Sequence, residues 1–157
     1  MLDRYFRILV ATLAIFACVN AFGADLGASR PAVKYVIPDG YVGWLRIDYG
    51  VSESRAMQYG LTRILPLPVE NGSVVAQFPP SGYLVTSSRM DDGWAKDEYF
   101  YSANGVRKPL SQAHDTGMVW NKANGANYTF FFIGTSADYQ KYGYKHDPQP
   151  RPGPVTR

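Results

Sequence analysis

Two histidines, His114 and His146, are the chain's near-neutral proton carriers among its 157 residues. His114 adjoins Asp115. Neighbours on a strand point to opposite faces, and a nucleophile–base–orienter set needs convergence rather than adjacency. The sequence holds no Gly-x-Ser-x-Gly elbow and no paired metal-ligand spacing. His114 therefore reads as a loop imidazole, and no catalytic residue, metal ligand or cofactor is assigned. The acids are more suggestive. Asp91-Asp92 and Asp97-Glu98 flank Trp94. Oxygen-rich loops hold calcium when ligands fall at alternate positions. Here Lys96 intrudes and that pattern is missing, so the segment reads as a solvated loop with local Asx turns. An enzyme built on it would be a small carboxylate-dependent hydrolase using the 91–98 loop. That reading requires Asp91, Asp97 or Glu98 to converge in a cleft.

The aromatic residues are the stronger binding candidates. The chain carries twelve tyrosines and three tryptophans. Trp44, Trp94, Tyr99, Tyr101 and Trp120 are the candidate ligand-contacting residues. A row of exposed rings would stack against sugars or cover a protein surface. The competing reading is that such rings fill a core, which is their commoner use.

The elements that position these residues are strands. Tyr35 to Ile37 reads as a short strand ended by Pro38-Asp39-Gly40. From Tyr41 the pattern alternates, with Leu45, Ile47 and Tyr49 on one face and Trp44, Arg46 and Asp48 on the other. Residues 50–63 read as a loop. Ile64 to Val69 contains Pro66 and Pro68, which restricts it to an edge. Asn71-Gly72 predicts a type I′ hairpin turn into Val74 to Phe78. Pro79 to Gly82 turns into Tyr83 to Ser87. Asp97 to Tyr101 leads through Asn104-Gly105, a second hairpin candidate, to Val106–Leu110, where Pro109 again indicates an edge. Gly117 to Trp120 is a short strand. Asn124-Gly125 makes a third turn into Tyr128 to Ile133, the most apolar run and a central strand. Ser136 could cap one or two helical turns ended by Gly143. About seven to nine short strands with regular turns predict an antiparallel β-sandwich, immunoglobulin-like or transthyretin-like, with a small barrel as the alternative. Asn71-Gly72-Ser73 and Asn127-Tyr128-Thr129 match glycosylation sequons but are accounted for by turn and strand chemistry.

The termini differ from this domain. Arg4 and Arg7, the apolar run from Ile8 to Ala17, and Ala21, Gly23 and Ala24 form the three parts of a secretory signal over residues 1–23. Cleavage after Ala21 and cleavage after Gly23 both satisfy the small-residue rule. The run is shorter than the ~20 apolar residues of a spanning helix, so the mature chain is expected to lack a transmembrane segment. Ile15-Phe16-Ala17-Cys18 resembles a lipobox, with bulky Phe16 against it. Cys18 is therefore a candidate lipidation site or simply an apolar member of the discarded segment. Residues 33–143 form a single β-rich domain. Residues 144–157, rich in proline, read as a disordered tail. Removing the signal leaves roughly 130 residues, one domain's worth. Without Cys18 that chain has no cysteine, so packing must stabilise it. The net charge of +3 falls to +2 once Asp3, Arg4 and Arg7 are gone. The basic residues are scattered, which argues against nucleic acid as a partner.

The segments IPDGYVGWLRIDYG (37–50), ENGSVVAQFPPSGYLVTSS (70–88), DEYFY (97–101), GMVW (117–120) and FFIGTSADY (131–139) resemble an uncharacterised bacterial family of exported proteins, a domain of unknown function. The resemblance implies a secreted or lipid-anchored β-domain, periplasmic or extracellular, and brings no catalytic residues with it. The expected function is a non-enzymatic binding module at the cell envelope, with a protein or glycan partner.

Overall fold

A computed structural model describes residues 29–110, 118–143 and 153–154. The strands are β1 (Val33–Pro38), β2 (Gly43–Asp48), β3 (Val69–Glu70), β4 (Ser73–Gln77), β5 (Tyr83–Val85), β6 (Glu98–Ala103), β7 (Val106–Pro109), β8 (Met118–Asn124), β9 (Tyr128–Gly134) and β10 (Gly153–Pro154). The first sheet runs β3-β4-β1-β6-β7 and the second β10-β2-β9-β8, with β5 also paired to β2. Two open sheets thus form the sandwich, and neither closes into a barrel. Its pairings are mixed where antiparallel ones were expected throughout. β1 is parallel to both β4 and β6, and β2 is parallel to β5. Parallel neighbours need a long crossover. The chain supplies one each time, because it visits the other sheet or a loop before returning.

Alternation decides what β2 buries, whereas β1 and β9 bury consecutive residues. In β2, Leu45 and Ile47 are fully buried while Trp44, Arg46 and Asp48 face the other way. Tyr35 and Ile37 of β1, Tyr101 of β6, and Phe131 and Ile133 of β9 close over them as one core. Burying a ring such as Phe131 stabilises the fold by roughly 2–3 kcal/mol. β9 is central, paired by β2 and β8, and β3 and β7 are edges; Pro109 ends β7, while Pro66 and Pro68 precede the short β3. Asn71 and Asn104 adopt φ of 51° and Gly72 and Gly105 φ of 77° and 79°, so the first two Asn-Gly hairpins form; Asn124 instead stays in β8, paired with Thr129, and neither it nor Gly125 takes positive φ.

Residues 50–63 are not all loop. Glu53–Tyr59 is a 3-10 helix ended at Gly60. Ala56 pins it by packing with Val51 and Ile64 in a small satellite core. At the other end, Thr135 rather than Ser136 caps the helical turn α1 (Ser136–Asp138). Its side chain accepts from the Asp138 N–H, while the Asp138 carboxylate accepts from the Thr135 N–H in a capping box. A wider turn continues over Tyr139–Gly143. Residues 1–23, where a signal segment is expected and where Cys18 falls, lie outside the described residues, as do His114, Asp115, Gly117 and His146. So does the proline-rich tail, apart from Gly153 and Pro154, which pair with Trp44 and Gly43 of β2. No helix among the described residues is long and apolar enough to cross a membrane.

Candidate functional site

One irregularity in β8 creates a polar cluster between the sheets. Trp120 stands opposite Phe132 and Ala123 opposite Phe130, so Asn121 and Lys122 together face the single Phe131. Unbroken pairing would set Lys122 opposite Phe130, on the outer face. The bulge moves it to the inner face. There Lys122 Nζ donates to Asp97 Oδ2 at 2.7 Å, Tyr35 Oη at 3.0 Å and Tyr99 Oη at 3.1 Å. Arg30 meets the same carboxylate with two N–H groups at 2.9 and 2.8 Å, and the Val33 N–H adds a third donor at 3.0 Å. Tyr35 and Tyr99 stack with centroids 4.8 Å apart. Burial alone would raise the Asp97 pKa. The hydrogen bonds from Arg30, Lys122 and Val33 outweigh it and hold the carboxyl below its ordinary range. Burial lowers Lys122, and Asp97 offsets that only in part. Burial raises Tyr35 and Tyr99.

Beside this cluster lies a cleft of about 240 Å³ whose lining includes Arg30, Tyr35, Tyr49, Arg89, Asp91 and Lys122. Of the acids in the 91–98 loop, Asp91 borders the cleft, Asp97 is bound by three of its wall residues, Arg30, Val33 and Lys122, and Asp92 and Glu98 are exposed. Among the described residues no group of three or more His, Cys, Asp or Glu could hold a metal ion.

The outer face of the second sheet is a row of rings. Antiparallel pairing of β2 with β9 sets Trp44 opposite Phe132, Arg46 opposite Phe130 and Asp48 opposite Tyr128, and directly opposed residues share a face. Trp44 packs between Phe130 at 5.7 Å and Phe132 at 5.5 Å, and Tyr139 covers Phe132. Tyr128 stacks on Phe130, and the Arg46 guanidinium sits 4.4 Å above the Tyr128 ring. Arg46 Nε donates to Asp48 Oδ1 at 2.7 Å, and Tyr83 Oη donates to Asp48 Oδ2. Burial, then the bond to Asp48, raises the Tyr83 pKa. Phe132 is buried; Trp44, Arg46, Tyr128 and Phe130 are half-buried.

A model of a family of unknown function, DUF6843, matches residues 30–142. The chain belongs to the DUF6843 family. This is an uncharacterised domain, as the sequence resemblance implied. No curated protein matches the chain. A crystal structure of a provisionally assigned lipoprotein from Bacillus anthracis is similar to it, with 21% identity, coverage of 77% of this chain and 83% of that one, and a TM-score of 0.49.

Both the inter-sheet cluster and the ring row lie within the stretch matched to DUF6843. Of the five rings singled out from sequence, Trp44, Trp94, Tyr99 and Tyr101 do not converge in this DUF6843 domain. Trp44 belongs to the outer row. Tyr99 is half-buried against Tyr35, and Tyr101 is buried with its hydroxyl donating to the Tyr41 carbonyl. Trp94 is 57% exposed on its loop, which Ser29 fastens by donating its backbone N–H to the Trp94 carbonyl and accepting the Trp94 N–H on Oγ. Trp120 stands opposite Phe132 in register. Sequence reading passed over Arg46, Tyr128 and Phe130 as ligand contacts, although the alternation that put Trp44 on the outer face also put Arg46 there. It passed over Lys122 entirely, since period two gives no warning of a bulge.

Proposed function

We propose that this DUF6843 domain is an exported, non-enzymatic binding module that holds a glycan against the outer face of its second sheet. One observation carries the reading. Arg46 lies over Tyr128 with Nε engaged by Asp48, while its two Nη groups make no hydrogen bond to any described residue. Sugars present apolar C–H faces and pairs of hydroxyls. Half-buried rings take the first, and a pre-oriented planar guanidinium takes the second. Export is supported by the composition of residues 1–23, and attachment through a lipidated Cys18 is the alternative address. The hydrolase reading has less support: Asp97 is engaged as a carboxylate by Arg30 and Lys122, which suits a structural tie better than proton transfer.

The test is a glycan array probed with the mature chain, with Trp44→Ala and Arg46→Gln alongside. Selective binding by the wild type that both variants lose, with unchanged circular dichroism, is expected. No glycan retained, or equal retention by the variants, would end the proposal.

A further inference from the structure

We infer that the cleft between the sheets is a second binding site, for a small amphipathic anion such as a medium-chain carboxylate. The inference is independent of the glycan reading, because the cleft lies on the inner side of the second sheet and shares no residue with the ring row.

The cleft has two kinds of wall. Val33, Leu67, Val69, Val74 and Met90 supply an apolar side. Arg30, Lys122 and the residues Tyr35, Tyr49 and Thr129 supply a polar one. A polar ligand alone would leave the first wall poorly solvated, and a hydrocarbon alone would strip water from the second. A molecule with an apolar body and a polar head satisfies both. Charge selects the sign of the head. Three cations, Arg30, Lys122 and Arg89, border the space against one carboxylate, Asp91. Asp97 neutralises part of Arg30 and Lys122 but is not itself among the lining residues. Arg89 is exposed at the rim, and no described residue forms an ion pair or hydrogen bond with it. An Arg fork left unengaged by the described residues, beside an apolar cavity, is suited to a carboxylate head. The volume of about 240 Å³ lies just below the range of roughly 300–1,000 Å³ typical of ligand pockets, which limits the ligand to about a dozen heavy atoms.

Octanoate is the probe, titrated into the full mature chain by isothermal calorimetry and by backbone amide shifts, with 1-octanol as the neutral control. Saturable octanoate binding is expected, with amide shifts at Val33, Val74 and Met90 and with octanol at least about tenfold weaker. Arg89→Gln should loosen octanoate about tenfold, one charge-assisted hydrogen bond's worth. Val74→Trp, which fills the cleft, should abolish binding while the circular dichroism spectrum stays native. If Val74→Trp fails to fold, Met90→Trp serves the same purpose. Trp44→Ala should leave octanoate binding unchanged. Absence of saturable binding, equal affinity for octanol, or shifts confined to the outer ring row would each overturn the inference.

Discussion

Lys122 Nζ lies 2.7 Å from Asp97 Oδ2, and this contact joins the two sheets. Lys122 comes from β8 of the second sheet, and Asp97 immediately precedes β6 of the first. Asp97 also binds Arg30 and the Val33 N–H, at the start of β1. One carboxylate thus ties three strands together.

Removing that carboxylate leaves two half-buried cations facing each other. Asp97→Asn is expected to cost about 3 kcal/mol in urea denaturation, as for other buried pairs broken from one side. Lys122→Met should cost less, about 1–2 kcal/mol, because Arg30 still satisfies Asp97. Equal and small losses for both would show that the cluster contributes nothing to holding the sheets.

The same group fixes the acid limb of the stability curve. The Asp97 pKa is lowered in the fold. Its contribution is therefore present above the unfolded value of about 3.9 and is lost as the pH falls toward the folded value. The wild type should lose stability faster than Asp97→Asn below about pH 4. Parallel acid limbs for the two proteins would contradict this.

At the alkaline end the sign reverses. Burial raises Tyr35, Tyr49, Tyr83 and Tyr99 above the ordinary phenol value. Their contribution is present below the unfolded value of about 10 and is lost as the pH rises beyond it. A phenolate absorbance titration of the folded protein should leave Tyr35, Tyr83 and Tyr99 un-ionised near pH 11, and they should ionise together with unfolding. Smooth ionisation of every tyrosine at about pH 10 would contradict the burial.

Two glycines separate backbone strain from crowding. Gly72 sits at φ 77° with no atom near an added Cβ, whereas a Cβ on Gly82 would meet Tyr41 Oη and the Trp44 carbonyl. Gly72→Val is expected to cost about 1–2 kcal/mol, from positive φ alone. Gly82→Ala should cost more, about 3 kcal/mol, since it also displaces the Tyr41 hydroxyl that donates to the Trp44 carbonyl at 2.7 Å. Thermal melts in which the order is reversed would contradict the local geometry.

Much of this architecture was legible in single residues. Leu45, Ile47 and Tyr49 alternated with Trp44, Arg46 and Asp48, and that alone placed β2 half-buried. Asn71-Gly72 and Asn104-Gly105 marked hairpins because few other dipeptides take positive φ twice. The parallel pairing of β1 was not legible, because pairing depends on which distant strands meet. The 3-10 helix escaped because a single buried residue, Ala56, holds it. Lys122 escaped for a sharper reason. Its inward position depends on a bulge that moves one lysine across the sheet, so its role follows from register and not from residue type. The candidate site was legible in part: Trp44 was found, but its partners Phe130 and Tyr128 lie about 85 residues away on β9 and join it only through pairing.

The most direct test of the glycan reading is a titration of isotope-labelled mature protein with the tightest glycan from the array, followed through the Trp44 indole N–H and the Arg46 Nε–H. Saturable shifts of both, lost in Arg46→Gln, are expected, together with little change at Val33 and Val74 in the cleft. Shifts that spare Trp44 and Arg46 while the glycan still binds would contradict the assignment of the ring row as the binding face.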